Sequence, residues 1–285
     1  MTGTRVLTAV VLIPLVVGLV LFAPTWVVAL ATAAITILAL WEYFALGNAM
    51  GHRGYRLWTA FCTLLLIVEQ SDLLRHRADA PGVFLTMVFQ GGWSLVFFIF
   101  VLGIVALTLW GNRAQVEALP AAGITCSGFL LVAFPLSFAV LLHSGKFGPQ
   151  LLMFALLVTW AADTTAYFVG RAFGKHLLAP QISPKKTWEG SIGGMIGSLL
   201  IGWAFTYWVN IPLPHALAMA AIGNVAGQLG DLVESAYKRS AGVKDSGALL
   251  PGHGGVLDRI DALILCIPAI WYYLALVNPP IFLRR

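Results

Sequence analysis

Between two long apolar runs, the stretch 235–261 gathers four cations (Lys238, Arg239, Lys244, Arg259), three carboxylates (Asp245, Asp258, Asp261) and the turn Gly252-His253-Gly254-Gly255. Charge this dense is costly at a bilayer surface, so the stretch reads as chemistry rather than linker. Asp258 and Asp261 stand three residues apart at the head of the last apolar run, on one helix face near the positive end of the dipole. They can cap that helix and pair with Arg259, or offer oxygens to a hard cation such as Mg²⁺. In the preceding run Asn224, Gln228, Asp231, Ser235 and Lys238 recur at three- and four-residue steps, so a helix lines them along one face. Gly223, Gly227 and Gly230 form a smooth strip beside them, suited to a close helix neighbour. Asn and Gln alone would make a seam that holds helices together, but an ionised Asp231 in or near hydrocarbon needs a compensating cation. Asp231, Asp258 and Asp261 together can converge on a divalent metal, and metal plus Lys and Arg is the combination that clamps a phosphate chain. His253 either donates to a phosphate or fits a tight turn.

A second constellation runs from Asp163 to Glu189. Asp163, Tyr167 and Arg171 recur every four residues within an apolar run. Ser183-Pro184-Lys185-Lys186-Thr187 reads as a turn whose hydroxyl and ammonium groups can hold phosphate oxygens or an anionic lipid head group. The plainer alternative is a basic loop whose lysines only fix orientation. Beside Asp163 and the first constellation, phosphate binding is the stronger reading.

The elements that must position these residues are membrane spans. The 285-residue chain is 59% hydrophobic and 10% charged, with a mean hydropathy of +0.87, against about 25% charged in ordinary soluble domains. Runs long enough to cross hydrocarbon fall near 6–23, 25–46, 57–74, 83–110, 118–142, 149–170, 190–209, 213–236 and 260–278. The expected fold is an all-α polytopic integral membrane protein of about nine transmembrane helices. The number drops to eight if 57–74, which ends in charges, or 83–110, interrupted by Gln90-Gly91-Gly92, fails to cross. The first run follows Arg5 without a small-x-small cleavage site before Pro24, so it is expected to be retained. Cys62, Cys126 and Cys266 lie in apolar runs with no CxxC, and read as buried free thiols. The distribution of Lys and Arg places the N-terminus and both polar stretches on the cytoplasmic side, although Arg284 and Arg285 run against that orientation. Residues 1–145 read as scaffold, lipid contact or oligomerisation surface, and 146–285 as the catalytic region with two cytoplasmic polar loops.

Absent motifs narrow the chemistry. There is no GxxxxGK[ST], GxSxG or HExxH, which leaves Walker-type nucleotide loops, familiar serine hydrolases and zinc proteases unsupported. Polar helix faces of this kind also suit an ion or lipid transporter.

The order Ser235-x-x-Lys238-Arg239, Lys244-Asp245, Pro251-Gly252-His253-Gly254-Gly255 and Asp258-Arg259-x-Asp261 resembles the signature of the phosphatidate cytidylyltransferases, or CDP-diacylglycerol synthases. Ser183-Pro-Lys-Lys-Thr-Trp-Glu-Gly190 is similar to that family's upstream element. The resemblance is strongest from Asp163 onward, and length and span count fit the bacterial members. It implies the reaction of CTP with phosphatidate to CDP-diacylglycerol and pyrophosphate, with Mg²⁺ and room in the scheme for a monovalent cation such as K⁺. On that resemblance Asp231, Asp258 and Asp261 would hold the metal, with Asp163 completing or tuning the site. Lys238, Arg239, Lys244 and Arg259 would bind CTP phosphates and the leaving pyrophosphate, while Ser183, Lys185 and Lys186 would orient the lipid head group. Thr187, Ser235, Asp245 and His253 fall within the same motifs and are expected at the substrates. The expected partners are CTP, phosphatidate and the bilayer, without nucleic acid and with a homodimer permitted. The expected location is the bacterial inner membrane with the site facing the cytoplasm. A CDP-alcohol phosphotransferase, which consumes the same product, is disfavoured because its Asp-Gly…Ala-Arg hallmark is missing.

Overall fold

The computed structural model describes residues 2–71, 92–111, 114–249 and 254–277, with side chains from residue 10 onward. His253, Gln90, Gly91, Arg284 and Arg285 lie outside the described residues.

Apolar composition forces each span to satisfy its backbone internally, and the chain does so with helices. They are α1 (Thr2–Phe22), α2 (Thr25–Ala49), α3 (Arg56–Gln70), α4 (Gly92–Trp110), α5 (Gln115–His143), α6 (Gly148–Phe173), α7 (Trp188–Trp208), α8 (Leu213–Ser240) and α9 (Leu257–Val277). Six of them, α2, α4, α5, α6, α8 and α9, are long and apolar enough to cross a membrane; α1 contributes the shorter apolar segment Val10–Phe22. The chain is an all-α polytopic membrane protein, with each helix falling on an apolar run of the sequence. Within α5, residues Phe129–Ala133 form a π-turn just before Pro135, whose missing N–H disturbs the regular ladder.

One small sheet interrupts the helices. Leu177–Ala179 (β1) pairs antiparallel with Ser183–Thr187 (β2), with Leu177 opposite Thr187 and Ala179 opposite Ser183. The turn expected at Ser183–Thr187 is therefore a strand, and the reversal falls at 180–182, closed by Ile182 N–H donating to Ala179 O at 3.1 Å. Pro184 is tolerated because this strand is an edge, where a missing donor breaks no second ladder. Thr187 ends the strand and caps α7, its Oγ1 accepting from Gly190 N at 3.1 Å.

The site is built where α6, α7, α8 and α9 pack most extensively on one another. Small residues allow this. A Cβ on Gly193 would lie 2.6 Å from Val169 Cβ, and one on Gly194 would lie 3.1 Å from Ala162 O, so α7 can rest almost on the backbone of α6. The strip Gly223, Gly227, Gly230 faces α9 as its spacing predicts: a Cβ on Gly223 would meet Cys266 Sγ at 3.1 Å, and one on Gly230 would strike Asp261 O. Two apolar clusters support this region: one draws on α1, α2 and α5–α9 around Phe138, Phe154 and Ile270, and the other packs α2–α5 and the start of α9 around Phe129, Val132 and Leu66. Trp93 on α4 stacks edge-on with Phe138 of α5 at 5.3 Å and lies 5.9 Å from Trp271 of α9, joining the two halves. Cys62 and Cys266 are buried free thiols; Cys126 is free but half-buried.

Candidate active site

A cavity of about 400 Å³ opens between α6, α7, α8 and the hairpin. The four-residue steps of α6 bring Asp163, Tyr167 and Arg171 to its wall, with Arg171 Nη1 donating to Tyr167 Oη at 3.1 Å. Strand β2 supplies Lys185 and Lys186, and the polar face of α8 supplies Asn224, Gln228 and Asp231. Lys186 forms an ion pair with Asp231, and both side chains remain about a quarter exposed, at 29% and 26%. This pair can therefore open to a ligand.

Asn224 and Gln228 act as the seam that their chemistry allows. Ser191 Oγ donates to Gln228 Oε1 at 2.5 Å, Gln228 Nε2 to Asn224 Oδ1 at 2.7 Å, Asn224 Nδ2 to Ser198 Oγ at 2.9 Å, and Ser198 Oγ to Val158 O at 3.2 Å. This directed chain stitches α8 through α7 to α6 and saturates the buried amides. Asp231 stands one turn beyond, where Ser235 Oγ donates to it at 3.3 Å.

A second polar cluster lies further along α8. Lys238 Nζ stands 2.5 Å from Glu234 Oε2 and 2.6 Å from Asp258 Oδ1, with all three side chains buried. The other oxygen of Asp258 accepts from Ser246 N at 2.9 Å, Ser246 Oγ at 2.9 Å and Gly255 N at 2.8 Å. Asp258 thus fastens Ser246 and Gly255, which lie between α8 and α9, to Lys238 of α8. The third contributor comes from the half of the chain that sequence analysis reads as scaffold: Glu42 of α2, 5% exposed, accepts from Ser246 Oγ and from the amides of Val256 and Leu257. Its signal was a lone carboxylate in the apolar run 25–46. Glu234, beside Ser235 on α8, is a second carboxylate that the three- and four-residue steps of the polar face do not include.

The remaining expected residues are placed as follows. Arg239 is exposed and ties the end of α8 to the hairpin turn, donating to Ile182 O at 3.4 Å and to Val243 O at 3.2 Å. Lys244 and Asp245 are exposed on the loop, and Arg259 is exposed at the head of α9. Thr187 borders the cavity, whereas Ser183, at the start of β2, does not line it. Glu189 lies at the head of α7, ahead of the apolar run; its own backbone amide and then the His176 ring, 2.7 Å away, hold its carboxyl down to about 2.

Asp163 and Asp231 border the cavity, and Asp261, whose Oδ1 accepts from Ala262 N at 2.7 Å, lies within electrostatic reach of both. Among the described residues no three His, Cys, Asp or Glu side chains stand together at coordination distance. Carboxylate oxygens are nevertheless the ligands a hard divalent cation takes, and Asp163 and Asp231 stand on the wall of one cavity with Lys186 between strand and helix. Asp258, by contrast, has both oxygens committed to Lys238 and the loop.

A family model described as the cytidylyltransferase family matches residues 3–277. A protein of Haemophilus influenzae named phosphatidate cytidylyltransferase is 35% identical over 286 residues, covering 96% of this chain and 98% of that one. A Brucella abortus protein of the same name is 33% identical over 286 residues, covering 97% and 94%. A third, from Bacillus subtilis, is 44% identical over 135 residues, covering 47% of this chain and 50% of its own. A match over nearly the whole chain, around a cavity that sets lysines and arginine against carboxylates, shows that the chain belongs to the cytidylyltransferase family.

Proposed function

We propose that this chain is a phosphatidate cytidylyltransferase, converting CTP and phosphatidate to CDP-diacylglycerol and pyrophosphate. The observation that carries the reading is the cavity in which Arg171, Lys185 and Lys186 face Asp163 and Asp231 within a membrane-embedded member of the family. In the reaction an oxygen of the lipid phosphate bonds to the α-phosphorus of CTP, the bond from that phosphorus to the β-phosphate bridge breaks, and pyrophosphate leaves. The nucleophile is already anionic at neutral pH, so no general base is needed. The work is charge neutralisation and in-line alignment of two negative groups.

Lys185 and Lys186 hold the lipid phosphate, and Arg171 stands on the same wall. Tyr167, Phe168 and Ile192 expose large apolar side chains on α6 and α7, a surface suited to acyl chains. Lys244, Arg239 and Arg259, on the exposed side of the loop and helix ends, bind the triphosphate. Mg²⁺, when bound, would neutralise the triphosphate and draw charge from the leaving pyrophosphate; Asp163, Asp231 and Asp261 would hold it. A monovalent cation such as K⁺ and a homodimer belong to the same proposal, as does an inner-membrane location with the loops in the cytoplasm. That side is favoured by the position of the basic loops.

The test is release of labelled pyrophosphate from CTP by the purified protein in detergent, omitting phosphatidate or Mg²⁺ in turn. Dependence on both omitted components is expected; folded protein that turns nothing over under varied lipid and metal conditions rejects the reading.

A further inference from the structure

An ionisable side chain inside an apolar helix is costly unless buried partners compensate it. Glu42 lies on α2, in a run without another charge between Thr25 and Leu40, and is 5% exposed. Its partners are more than 200 positions away in the chain. Oε2 accepts from Ser246 Oγ at 2.9 Å and from Leu257 N at 2.8 Å, and Oε1 accepts from Val256 N at 3.0 Å. Val256 and Leu257 open α9, so Glu42 supplies from a distant helix the capping that an N-terminus needs, with its charge at the positive end of the dipole.

The loop is shaped to admit this carboxylate. A Cβ added at Gly247 would lie 2.5 Å from Glu42 Oε1, and one at Gly255 would lie 2.6 Å from its carboxyl carbon. Ser246 Oγ stands 2.9 Å from Glu42 Oε2 and 2.9 Å from Asp258 Oδ2, so its single proton bridges the two carboxylates. Beyond Asp258 the connection passes to Lys238 and Glu234. One buried network therefore runs from α2, through Ser246 and the Gly255–Leu257 backbone, to α8.

We propose that Glu42 is a positioning residue of the transferase reaction: it anchors the loop carrying Lys244 and the head of α9 carrying Arg259 and Asp261, and thereby sets where the triphosphate is held. The proposal rests on the function given above, and it makes α2 part of the catalytic unit. Glu42 touches no substrate. Its influence passes through Ser246 and the α9 amides, so losing it should disturb CTP use and leave the lipid-phosphate site on β2 alone.

The experiment compares wild type, Glu42→Gln, Ser246→Ala and Gly247→Ala as full chains in detergent. It measures kcat and KM for each substrate, the unfolding midpoint, and hydrogen exchange of the 241–258 segment. Glu42→Gln replaces an acceptor oxygen with an amide that faces N–H donors. The expected result is a fall in kcat/KM for CTP of about tenfold or more with KM for phosphatidate within about twofold, together with faster exchange in the segment. Ser246→Ala, which buries no unpaired charge, should show the same split more weakly, so the idea stays testable if Glu42→Gln fails to fold. Equal losses toward both substrates that follow the unfolding midpoint would reduce Glu42 to a structural residue and overturn the proposal, as would wild-type kinetics. An inactive wild type rejects the function itself, and the exchange data then still decide whether Glu42 holds the loop.

Discussion

Lys186 on β2 and Asp231 on α8 form an ion pair across the cavity, joining the hairpin to the polar face of the helix. Each is about a quarter exposed, at 29% and 26%, so the pair gains little from burial and its cation remains exchangeable between the carboxylate and an incoming phosphate. Solvent therefore reaches Asp231 as well as its partner, and the arrangement still offers a lysine to substrate.

Replacing Lys186 with Met should therefore leave the fold intact and remove a cation from the reacting phosphates. The expected loss in kcat/KM is roughly 10²–10³-fold, the magnitude typical of deleting one charge-stabilising donor. Steady-state pyrophosphate release, read beside an unchanged unfolding midpoint, checks it. Activity within about threefold of wild type would remove Lys186 from the site.

Lys238 is a different case. It is the cation between Glu234 and Asp258, with side-chain exposures of 11%, 5% and 8%. Lys238→Ala would strand two buried carboxylates, and breaking one partner of a buried pair costs about 3–5 kcal/mol. The expected outcome is a marked drop in the unfolding midpoint as well as in activity. A Lys238→Ala protein as stable as wild type would show that Glu234 and Asp258 are not both ionised in the buried cluster.

The spans were legible because hydrocarbon thickness and internal hydrogen bonding leave few options, and the glycine strip 223/227/230 announced the close approach of a helix, which the fold identifies as α9. The i, i+4 steps of α6 and α8 likewise told which polar residues share a face. The hairpin was not legible: Ser183–Thr187 has turn-like composition, and its strand state depends on pairing with Leu177–Ala179, a tertiary fact. The separate fates of Asp258 and Asp261 were hidden for a similar reason. Spacing places both on one face of α9, but only the fold of the loop over Glu42 and Ser246 determines that Asp258 is occupied. Glu42 itself had a readable signal, a single charge in an apolar run, without any local clue to partners two hundred residues away.

The close packing of α8 on α9 makes a steric prediction. A Cβ on Gly230 would strike Asp261 O, whereas one on Gly123 of α5 meets nothing within 4 Å. Gly230→Ala should cost about 1–3 kcal/mol as an overpacked contact and lower activity by displacing Asp261, while Gly123→Ala serves as a neutral control. Equal behaviour of the two variants in unfolding and turnover would refute the crossing geometry.

Glu189 gives a pH-dependent signature. Its carboxyl is held at about 2, below its ordinary 4.5, by its own amide and the His176 ring. A depressed carboxylate stabilises the folded state above its unfolded value, and that contribution disappears as pH falls through the folded one. The unfolding midpoints of wild type and Glu189→Gln should differ most above pH 4.5 and converge toward about pH 2. A gap that widens on acidification would contradict the hydrogen bonds drawn at the head of α7.

Asp258 and Asp261, three residues apart, should separate under mutation. Asp261 precedes Ala262 on the cavity wall that Asp163 and Asp231 also border, so on the proposed metal assignment Asp261→Asn should raise the Mg²⁺ concentration needed for half-maximal activity by about tenfold or more with little change in stability. Asp258 receives Lys238, Ser246 and Gly255. Its Asn variant trades an acceptor for a donor facing donors, and should lower the unfolding midpoint and loosen the loop before it alters metal demand. Magnesium titrations of the two variants, run with thermal unfolding, distinguish the roles. If Asp258→Asn shifts the magnesium requirement while Asp261→Asn does not, the cation is held at the loop end of α9, and the cavity-side assignment of the metal fails.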